Sequence, residues 1–222
     1  MTDQTTHASD PALLAALAAD DASTRLRAAM AAGSNPHPGY AEELIRRCGV
    51  EPDFFVRDML TWALTRLPAD LTVPGLVTEL GSASPQARAQ ALHTLSKIAD
   101  PATWGAITPA LISDPDDEVA AAAWRTAAAL VPPGREAALA AALAAELGRG
   151  DRETQRRLSR AFAALGAPAR AAVENGALSP NEAVSAHALA TLAVMDNPDE
   201  SFESAVHEAT RIVALRAAPS TE

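Results

Sequence analysis

The sequence predicts an all-α protein, a right-handed α-solenoid of five to six stacked helix pairs. Two observations support this fold class. Alanine, the strongest helix former, makes up about a quarter of the 222 residues, whereas aromatic residues make up only 4%. An apolar pattern also recurs every 30 to 35 residues. A period of that length indicates structural units that repeat along the chain and stack on one another.

Five segments carry the apolar pattern in the same register. Each has an anchor residue and further seam residues four, eight and eleven positions later. These offsets fall on one face of an α-helix, in a stripe about 80° wide. The anchors are Val56, Ala87, Val119, Thr154 and Val184, and the seam residues after them are Leu60, Leu64, Leu67, Ala91, Leu95, Ile98, Ala123, Ala127, Leu130, Leu158, Phe162, Leu165, Ala188, Leu192 and Met195.

A second set of helices alternates with these five. The turns that join each pair contain Asp or Ser as a helix N-cap, several with a proline beside it. One pair cannot bury its apolar stripe alone, so neighbouring pairs are expected to stack. The second set is predicted at about 40–48, 72–81, 103–113, 135–147 and 167–176.

We expect one continuous domain over residues 11–216. A weaker N-terminal copy of the repeat has Leu26 as its anchor and ends near Gly33. Residues 1–10 and 217–222 are expected to be flexible. The predicted repeats span about 11–38, 40–68, 72–99, 103–132, 135–166 and 167–196, followed by a closing helix at 199–216.

The formal net charge of −10 bears on partners and location. Nucleic acids are bound mainly through an excess of Lys and Arg, so a nucleic-acid partner is not expected. No apolar run reaches the length of a membrane-spanning helix, and the N-terminus lacks the features of a secretory signal. The single cysteine, Cys48, indicates a reducing compartment, and the cytoplasm is the expected location. Its apolar neighbours predict a core thiol.

Residues 91–130 resemble HEAT repeats, in particular the short bacterial HEAT-like repeats of the phycobilisome-lyase type. The similarity covers about residues 12–195. It rests on Asp-Pro and Val-Arg steps at Asp100-Pro101, Asp114-Pro115 and Val56-Arg57. It departs where the arginine of the repeat is missing, at Ala120, Gln155 and Ser185. The resemblance implies a binding surface for diverse partners, with the second helix of each pair lining the concave side.

Trp62 is the candidate anchor of such a binding surface. It lies six residues after Val56, on the side of its helix opposite the seam. Aromatic residues and arginine anchor interfaces because they give large contacts at low ordering cost. The alternative is that Trp62 packs sideways on the neighbouring helix and is half-buried. Trp124 lies one position nearer the seam and is expected in the core.

The resemblance places the equivalent positions of the other repeats in the same concave groove. That column holds Trp62, His93, Arg125, Arg160 and Ala190. Residues two and three positions after an anchor flank the column, and they include His187. The residues predicted to bind a partner are Trp62, His93, Arg125, Arg160, Asp58, Met59, Gln90, Arg156 and Arg157.

Charge is distributed unevenly along the predicted groove. Acidic residues crowd one repeat, at Glu51, Asp53 and Asp58, and arginines crowd a later one, at Arg149, Arg152, Arg156, Arg157 and Arg160. Such a run of arginines suits an acidic peptide or an anionic small molecule. The alternative is a solvated face that Asp151 and Glu153 partly neutralise.

Patterns for catalysis are missing from the sequence. None of the five histidines has a second His or a Cys at metal-ligand spacing, and no Gly-rich loop follows a predicted strand. We therefore predict no metal, no cofactor and no enzymatic activity.

The predicted function is a non-catalytic scaffold that binds a protein or peptide partner through its concave groove. The resemblance implies a second possibility, because similar repeats accompany bacterial transcription regulators: a module that senses a small molecule or effector. Two enzymes of similar architecture are less favoured alternatives. One is an alkylpurine DNA glycosylase. Trp62, Asp58 and Arg125 resemble the residues that line the groove of such enzymes, although a chain this acidic suits DNA poorly. The other is a bilin lyase, for which no residue indicates a chromophore pocket.

Overall fold

The computed structural model describes residues 10–197, 199 and 201–217. Within these ranges the chain forms helices and turns and no strand. The all-α prediction is confirmed. The chain ends that are predicted to be flexible, residues 1–10 and 217–222, lie outside the described part except for residues 10 and 217.

The chain divides into two compact units, residues 1–106 and 107–222. Unit 1 contains two short 3₁₀ segments, Pro38–Tyr40 and Pro101–Ala106, and unit 2 contains one, Ala167–Ala169. The α-helices of unit 1 are α1 Pro11–Ala16, α2 Ala22–Ser34, α3 Ala41–Cys48, α4 Phe54–Thr65, α5 Ala69–Glu79 and α6 Pro85–Ile98. Those of unit 2 are α7 Pro109–Ile112, α8 Asp117–Leu130, α9 Glu136–Ala144, α10 Arg152–Leu165, α11 Arg170–Ala177, α12 Glu182–Asp196 and α13 Phe202–Ala217.

Each unit is a two-layer stack of helix pairs, the architecture of an α-solenoid. In unit 1, α2, α4 and α6 lie side by side in one layer, and α3 and α5 form the other. In unit 2, α8, α10 and α12 form one layer, and α7, α9 and α11 the other. Helix α13 packs on α12. The predicted stacking of helix pairs is therefore present in both units.

The predicted apolar seam forms the core of each unit. In α4 the anchor Val56 and the seam residues Leu60 and Leu64 are buried, and in α10 so are Leu158 and Phe162. Burial of one such side chain stabilises the fold by roughly 1.5–3 kcal/mol. The last repeat is looser, because its seam residues are partly exposed at Val184, Leu192 and Met195.

Polar side chains cap the N-terminus of the second helix in each pair, that is, of α2, α4, α6, α8, α10 and α12. Each accepts a hydrogen bond from a backbone N–H of the first helical turn, which would otherwise lack a partner. The capping residues are Asp21, Asp53, Ser84, Asp116, Asp151 and Asn181. The turn chemistry read from the sequence thus fixes where these helices begin.

Three arginines in unit 1, one each in α2, α4 and α6, bind the start of their helix to the turn before it. In Arg25, Arg57 and Arg88, Nη1 donates to the backbone carbonyls five and six residues earlier, over 2.7 to 3.3 Å. A charged donor makes these bonds stronger than those between neutral groups. We call this contact the arginine clamp. The Val-Arg step of the repeat therefore has a structural role.

The arginine clamp corrects the register of the N-terminal copy. Arg25 precedes Arg57 by 32 residues, which makes Thr24 the anchor of α2. The seam residues that follow Thr24, Ala28 and Ala32, are buried, whereas Met30, four residues after Leu26, is exposed. The predicted anchor Leu26 is therefore wrong by two positions.

Unit 2 lacks the clamping arginine and closes its turns differently. Gln155 Nε2 donates to the carbonyl of Gly150 at 3.4 Å, a weak bond. Arg149 instead joins neighbouring turns, because it donates to the carboxylates of Asp117 (2.8 Å) and Glu146 (2.9 Å) and to the carbonyl of Asp114. Loss of the repeat's arginine leaves the packing intact.

One predicted helix is broken. The segment predicted as a helix at 103–113 consists of a 3₁₀ segment that ends at Ala106 and the short α7 that begins at Pro109. Proline has no N–H and drives the residue before it out of the helical region. Thr108 accordingly has ψ 159°. Among the described helices, none has both the length and the apolar character that crossing a membrane requires.

Candidate functional site

The exposed face of α4 carries a row of large side chains in unit 1. Phe55, Met59, Trp62 and Arg66 recur at spacings of four, three and four residues, which places them on one side of the helix. Phe55 is 70% exposed and Trp62 37%, Arg66 is exposed, and Met59 is partly exposed. We call these four residues the α4 stripe.

Trp62 is held in place by a glycine of the neighbouring helix. A Cβ added to Gly33 in α2 would lie 2.3 Å from Cζ3 and 2.4 Å from Cε3 of the indole. The ring therefore rests directly on the backbone of α2. The sequence leaves two interpretations of Trp62 open, a binding anchor or sideways packing. The ring does pack sideways on the neighbouring helix, and more than a third of the residue remains exposed.

A second exposed phenylalanine, Phe54, adjoins Phe55 of the α4 stripe, and the exposure of neither was predicted. Phe54 is 65% exposed, and its ring centroid lies 5.6 Å from that of Phe55 at an interplanar angle of 78°. The guanidinium carbon of Arg57 lies 6.0 Å from the Phe54 centroid. Both residues directly follow the N-cap Asp53 and lie in the first turn of α4, at the end of the helix. That position is the signal in the sequence that could have indicated exposure.

The other predicted site residues of unit 1 lie on the same layer of helices. Asp58 is exposed on α4, and Gln90 and His93 are partly exposed on α6. The arginine clamp places Met30 of α2 in the Trp62 column, and Met30 is also exposed. The layer formed by α2, α4 and α6 therefore presents a mixed apolar and polar face.

In unit 2 the predicted column is only partly open. Arg125 and Arg160 are exposed, whereas Ala190 is buried. Desolvation of the guanidinium group, followed by the positive charge of nearby Arg157, lowers the pKa of Arg125. Arg160 has neither a hydrogen bond nor an ion pair with any described residue.

The flanking arginines of unit 2 are paired with carboxylates. Arg156 binds Glu153, and Arg157 binds Glu118 at 2.8 Å and Glu153 at 3.2 Å. Exposed pairs of this kind contribute roughly 0–1 kcal/mol each to stability. Neighbouring carboxylates therefore partly neutralise both arginines, as the alternative interpretation expects.

Glu51 does not belong to an acidic surface. It is 0% exposed and receives two hydrogen bonds from Arg25, from Nε at 2.7 Å and from Nη2 at 2.8 Å. Arg47 and the backbone N–H of Asp53 donate to the same carboxylate. Burial works against ionisation, but these hydrogen bonds lower the pKa of Glu51. The prediction that Glu51 faces the groove is wrong.

His187 is buried, contrary to its predicted place beside the column. It is 1% exposed because α13 packs over α12, and its ring meets Phe202 edge to face at 6.1 Å. Burial lowers its pKa to about 4. The prediction holds for an open repeat and fails where the closing helix covers the face.

The hydrogen bonds of His187 fix its tautomer. The Gly148 N–H donates to Nδ1 at 2.9 Å, so the ring proton lies on Nε2. Nε2 lies 3.0 Å from the Gln155 carbonyl and 3.1 Å from Oγ of Ser159. With its proton on Nε2, the imidazole cannot take a proton from Ser159. The pair therefore lacks the arrangement of a nucleophile and its base.

Two predictions about buried residues are confirmed. Trp124 is fully buried and its Nε1–H donates to the carbonyl of Ile112 at 2.8 Å. Cys48 is buried, and that burial raises the pKa of its thiol to about 12. Within the part of the chain that the structure describes, no three His, Cys, Asp or Glu side chains converge in a way that could hold a metal ion.

The fold and these surfaces define a helical-repeat protein. No protein-family model and no curated protein matches the chain. Several solved structures match it, and two of them resemble it over most of its length. One is an engineered protein with 20% identity and a TM-score of 0.48, a match that covers 92% of this chain and 96% of the other.

The second structure is the complex of CpcE and CpcF of phycocyanin lyase from Nostoc sp. PCC7120. It has 18% identity and a TM-score of 0.38, and the match covers 96% of this chain and 98% of the other. Similarity at these levels carries no inference about what this chain binds. The predicted absence of enzymatic activity is nevertheless wrong as a firm exclusion, because a structure matched over nearly the whole chain belongs to an enzyme.

Proposed function

We propose that the protein is a scaffold of HEAT-like repeats that binds a protein or peptide partner through the α4 stripe of unit 1. The observation that supports this most is the exposed aromatic surface of Phe55 and Trp62, with Phe54 adjoining it. The chain holds only four phenylalanines, and two of them form this exposed pair. Clustered apolar side chains on a surface mark interaction sites.

The energetics of aromatic burial favour this site. Burying one phenylalanine side chain stabilises a complex by roughly 1.5–3 kcal/mol. Trp62 already rests on Gly33, so its side chain loses little freedom when a partner binds. Two aromatic anchors on one rigid helix supply the centre of a small interface.

Charged side chains beside the anchors restrict the partner's chemistry. Asp58 on α4 and Arg66 at its C-cap are exposed, and His93 and Gln90 lie on the neighbouring α6. A matching segment presents apolar side chains with charges of both signs beside them. Nucleic acid is not a proposed partner, because the net charge of −10 opposes binding to phosphates.

In unit 2 we propose a separate partner contact through its exposed arginines. Arg125 and Arg160 lead this contact, and they favour an acidic segment. Arg156 and Arg157 contribute less, because Glu153 and Glu118 already compete for their guanidinium groups. A cytoplasmic location stays a prediction.

The test is affinity capture from the native cell with wild-type protein and matched variants. We expect Trp62→Ala and Phe55→Ser to lose a captured protein that Leu71→Ala retains, because Leu71 is an exposed apolar residue on the other layer of unit 1. The captured protein is then purified and its Kd measured. Loss of each aromatic anchor is expected to raise the Kd at least about tenfold.

Two outcomes contradict the proposal. One is a purified partner that binds Trp62→Ala, Phe55→Ser and wild type with the same Kd. The other is an equal loss of binding in Leu71→Ala, which would indicate general stickiness of exposed apolar residues. Circular dichroism of each variant checks that the helices remain folded.

A cleft in unit 2 favours a second candidate function, the sensing of a small molecule. The cleft has a volume of about 710 Å³, within the range of ligand sites, and its lining shares no residue with the α4 stripe. Its chemistry is therefore open to an independent test.

A further inference from the structure

The cleft in unit 2 lies where α10, the segment around Gly166 and the start of α13 meet. Its walls combine guanidinium groups with an apolar floor. The polar residues that line it are Arg156, Arg160, Arg170, Ser159, Ser201 and Glu203. Among the apolar lining residues are Val194, Met195 and Phe202.

Arg160 is the residue of this cleft whose guanidinium group is available to bind a ligand. It is exposed, and no described residue forms a hydrogen bond or ion pair with it. Arg156 lies four residues earlier, so the two side chains are neighbours on the surface of α10. Arg156 donates Nε and Nη2 to Glu153, and none of the contacts within the described chain uses its Nη1. Both arginines line the cleft, and both have N–H donors that form no hydrogen bond with a described residue.

The other charged residues around the cleft restrict the charge that a ligand can carry. Arg170 is committed to Asp196 and Glu174, and Glu203 also lines the cleft. The acidic groups nearby disfavour a dianion such as a phosphate monoester, because each adds repulsion. A single carboxylate matches the planar fork of one arginine.

The apolar residues that line the cleft favour a ligand with an apolar body. Phe202 is buried at the start of α13, and Val194 and Met195 are partly buried at the end of α12. An aromatic ring or short hydrocarbon chain that displaces water from these side chains gains about 25 cal/mol per Å² of apolar surface covered. The cleft therefore suits a molecule that is charged at one end and apolar at the other.

We propose that this cleft binds a small monocarboxylate with an apolar body, held by Arg160 with Arg156 at the carboxylate and by Val194, Met195 and Phe202 at the apolar end. This gives the second candidate function, small-molecule sensing, a class of ligand and rests on it, whereas it is independent of partner binding at the α4 stripe. The contacts are confined to unit 2, so variants of Trp62 leave the site unchanged.

The experiment uses 4-phenylbutyrate as the probe and 4-phenylbutanamide as its neutral counterpart. Binding to the full chain is followed by the NMR shifts of backbone amides at Ala163 and Phe202, which line the cleft. We expect saturable shifts with a Kd on the order of 1 mM or tighter, as suits a ligand of about twelve heavy atoms. The amide is expected to bind at least about tenfold more weakly, because it has no charge to pair with Arg160.

Two variants separate the site from general charge effects. Arg160→Gln is expected to raise the Kd for 4-phenylbutyrate at least about tenfold and to stay folded, because Arg160 is exposed. Arg135→Gln removes an exposed arginine of the same unit that does not line the cleft, and it is expected to bind as wild type does.

Four results overturn the proposal, and the first three concern the probe and Arg160→Gln. They are a wild-type protein without saturable shifts, an amide that binds as well as the acid, and an Arg160→Gln variant with an unchanged Kd. If Arg135→Gln weakens binding as much as Arg160→Gln, the attraction is non-specific and the proposal also fails. Weakening in Arg160→Gln alone supports the site.

Discussion

The indole of Trp62 rests on Gly33, and the missing Cβ of that glycine makes room for the ring. Cζ3 of Trp62 would lie 2.3 Å from a Cβ placed there. The contact joins α4 to α2 within unit 1 and holds the tryptophan at one angle. A side chain half-buried in this way is both a packing element and a rigid part of the exposed surface.

Gly33→Ala is expected to destabilise unit 1 by about 1–2 kcal/mol. The added methyl group forces the indole outward, and the lost packing outweighs the gain in helix propensity of about 1 kcal/mol. Urea unfolding measures the loss, and the tryptophan emission is expected to shift to longer wavelength. The matched control is Gly105→Ala, because a Cβ at Gly105 meets nothing within 4 Å.

The coupling between the two residues gives a second readout. In the double variant Gly33→Ala/Trp62→Ala the clash is gone, so in a Trp62→Ala background Gly33→Ala is expected to stabilise by up to about 1 kcal/mol through helix propensity alone. A cost that is the same in both backgrounds would show that the indole does not rest on Gly33.

Glu51→Gln is expected to destabilise the protein by about 3 kcal/mol. The amide leaves Arg25 and Arg47 as cations in a buried site without their counter-charge. Urea unfolding at pH 7 measures the effect. The control is Glu43→Gln, whose pair with Arg46 is more exposed, with an expected change within about 0.5 kcal/mol.

The pH dependence of this network has a defined sign. The pKa of Glu51 is lower in the folded state than its ordinary value of 4.5. The folded state therefore favours the ionised carboxylate, and its contribution to stability is present above pH 4.5 and declines as the pH falls below that value. Equal losses of stability in wild type and Glu51→Gln over this range would contradict the network.

His187 gives a separate pH effect in unit 2. Burial lowers its pKa from 6.5 to about 4, so the unfolded chain binds a proton at a higher pH than the folded chain. The free energy of unfolding is therefore expected to decrease as the pH falls from 6.5 to 4, by about 3 kcal/mol in total. Hydrogen exchange of buried amides in α10 and α12 reports this for unit 2.

The control variants isolate His187 from the other titrating groups. His187→Gln keeps a hydrogen-bonding side chain without the titration and is expected to lose most of the decline between pH 6.5 and 4. His207→Gln, at an exposed position of α13, is expected to keep it. A decline of the same size in His187→Gln and wild type would mean that other groups cause it.

Cys48 is expected to resist thiol reagents in the native protein. Burial excludes the reagent and raises the pKa of the thiol to about 12, so almost no thiolate forms at pH 8. Ellman's reagent is expected to release one equivalent only after denaturation. A Leu178→Cys variant, with an exposed second thiol, is expected to release one equivalent at once. Rapid native reaction of wild type would contradict the buried placement.

The core was predictable because its pattern is local and repeated. An α-helix with buried residues at offsets of four, eight and eleven needs only its own sequence to reveal the inward face, and Leu60, Leu95 and Leu158 are buried as predicted. The N-caps were predictable for the same reason. The break at Pro109 was a local signal too, since proline disfavours a helix that continues through it.

The candidate site was less predictable because exposure depends on neighbours. His187 has the same offset as Met59, Gln90 and Arg157, which are partly exposed, but α13 covers it, and no pattern within α12 encodes that cover. Phe54 and Phe55 look like core residues by type, yet the first turn of α4 leaves them exposed. Ion pairs across repeats, such as Arg157 with Glu118, also require the stacked structure.

The central claim, that the α4 stripe binds the partner, is tested most directly by NMR mapping of the captured partner on ¹⁵N-labelled protein. We expect the largest shifts at the Trp62 indole N–H and at the backbone amides of Phe55 and Met59. We expect little change in α3 and α5, the opposite layer of unit 1. Shifts confined to α3 and α5, or to unit 2, with the Trp62 indole unmoved would contradict the claim.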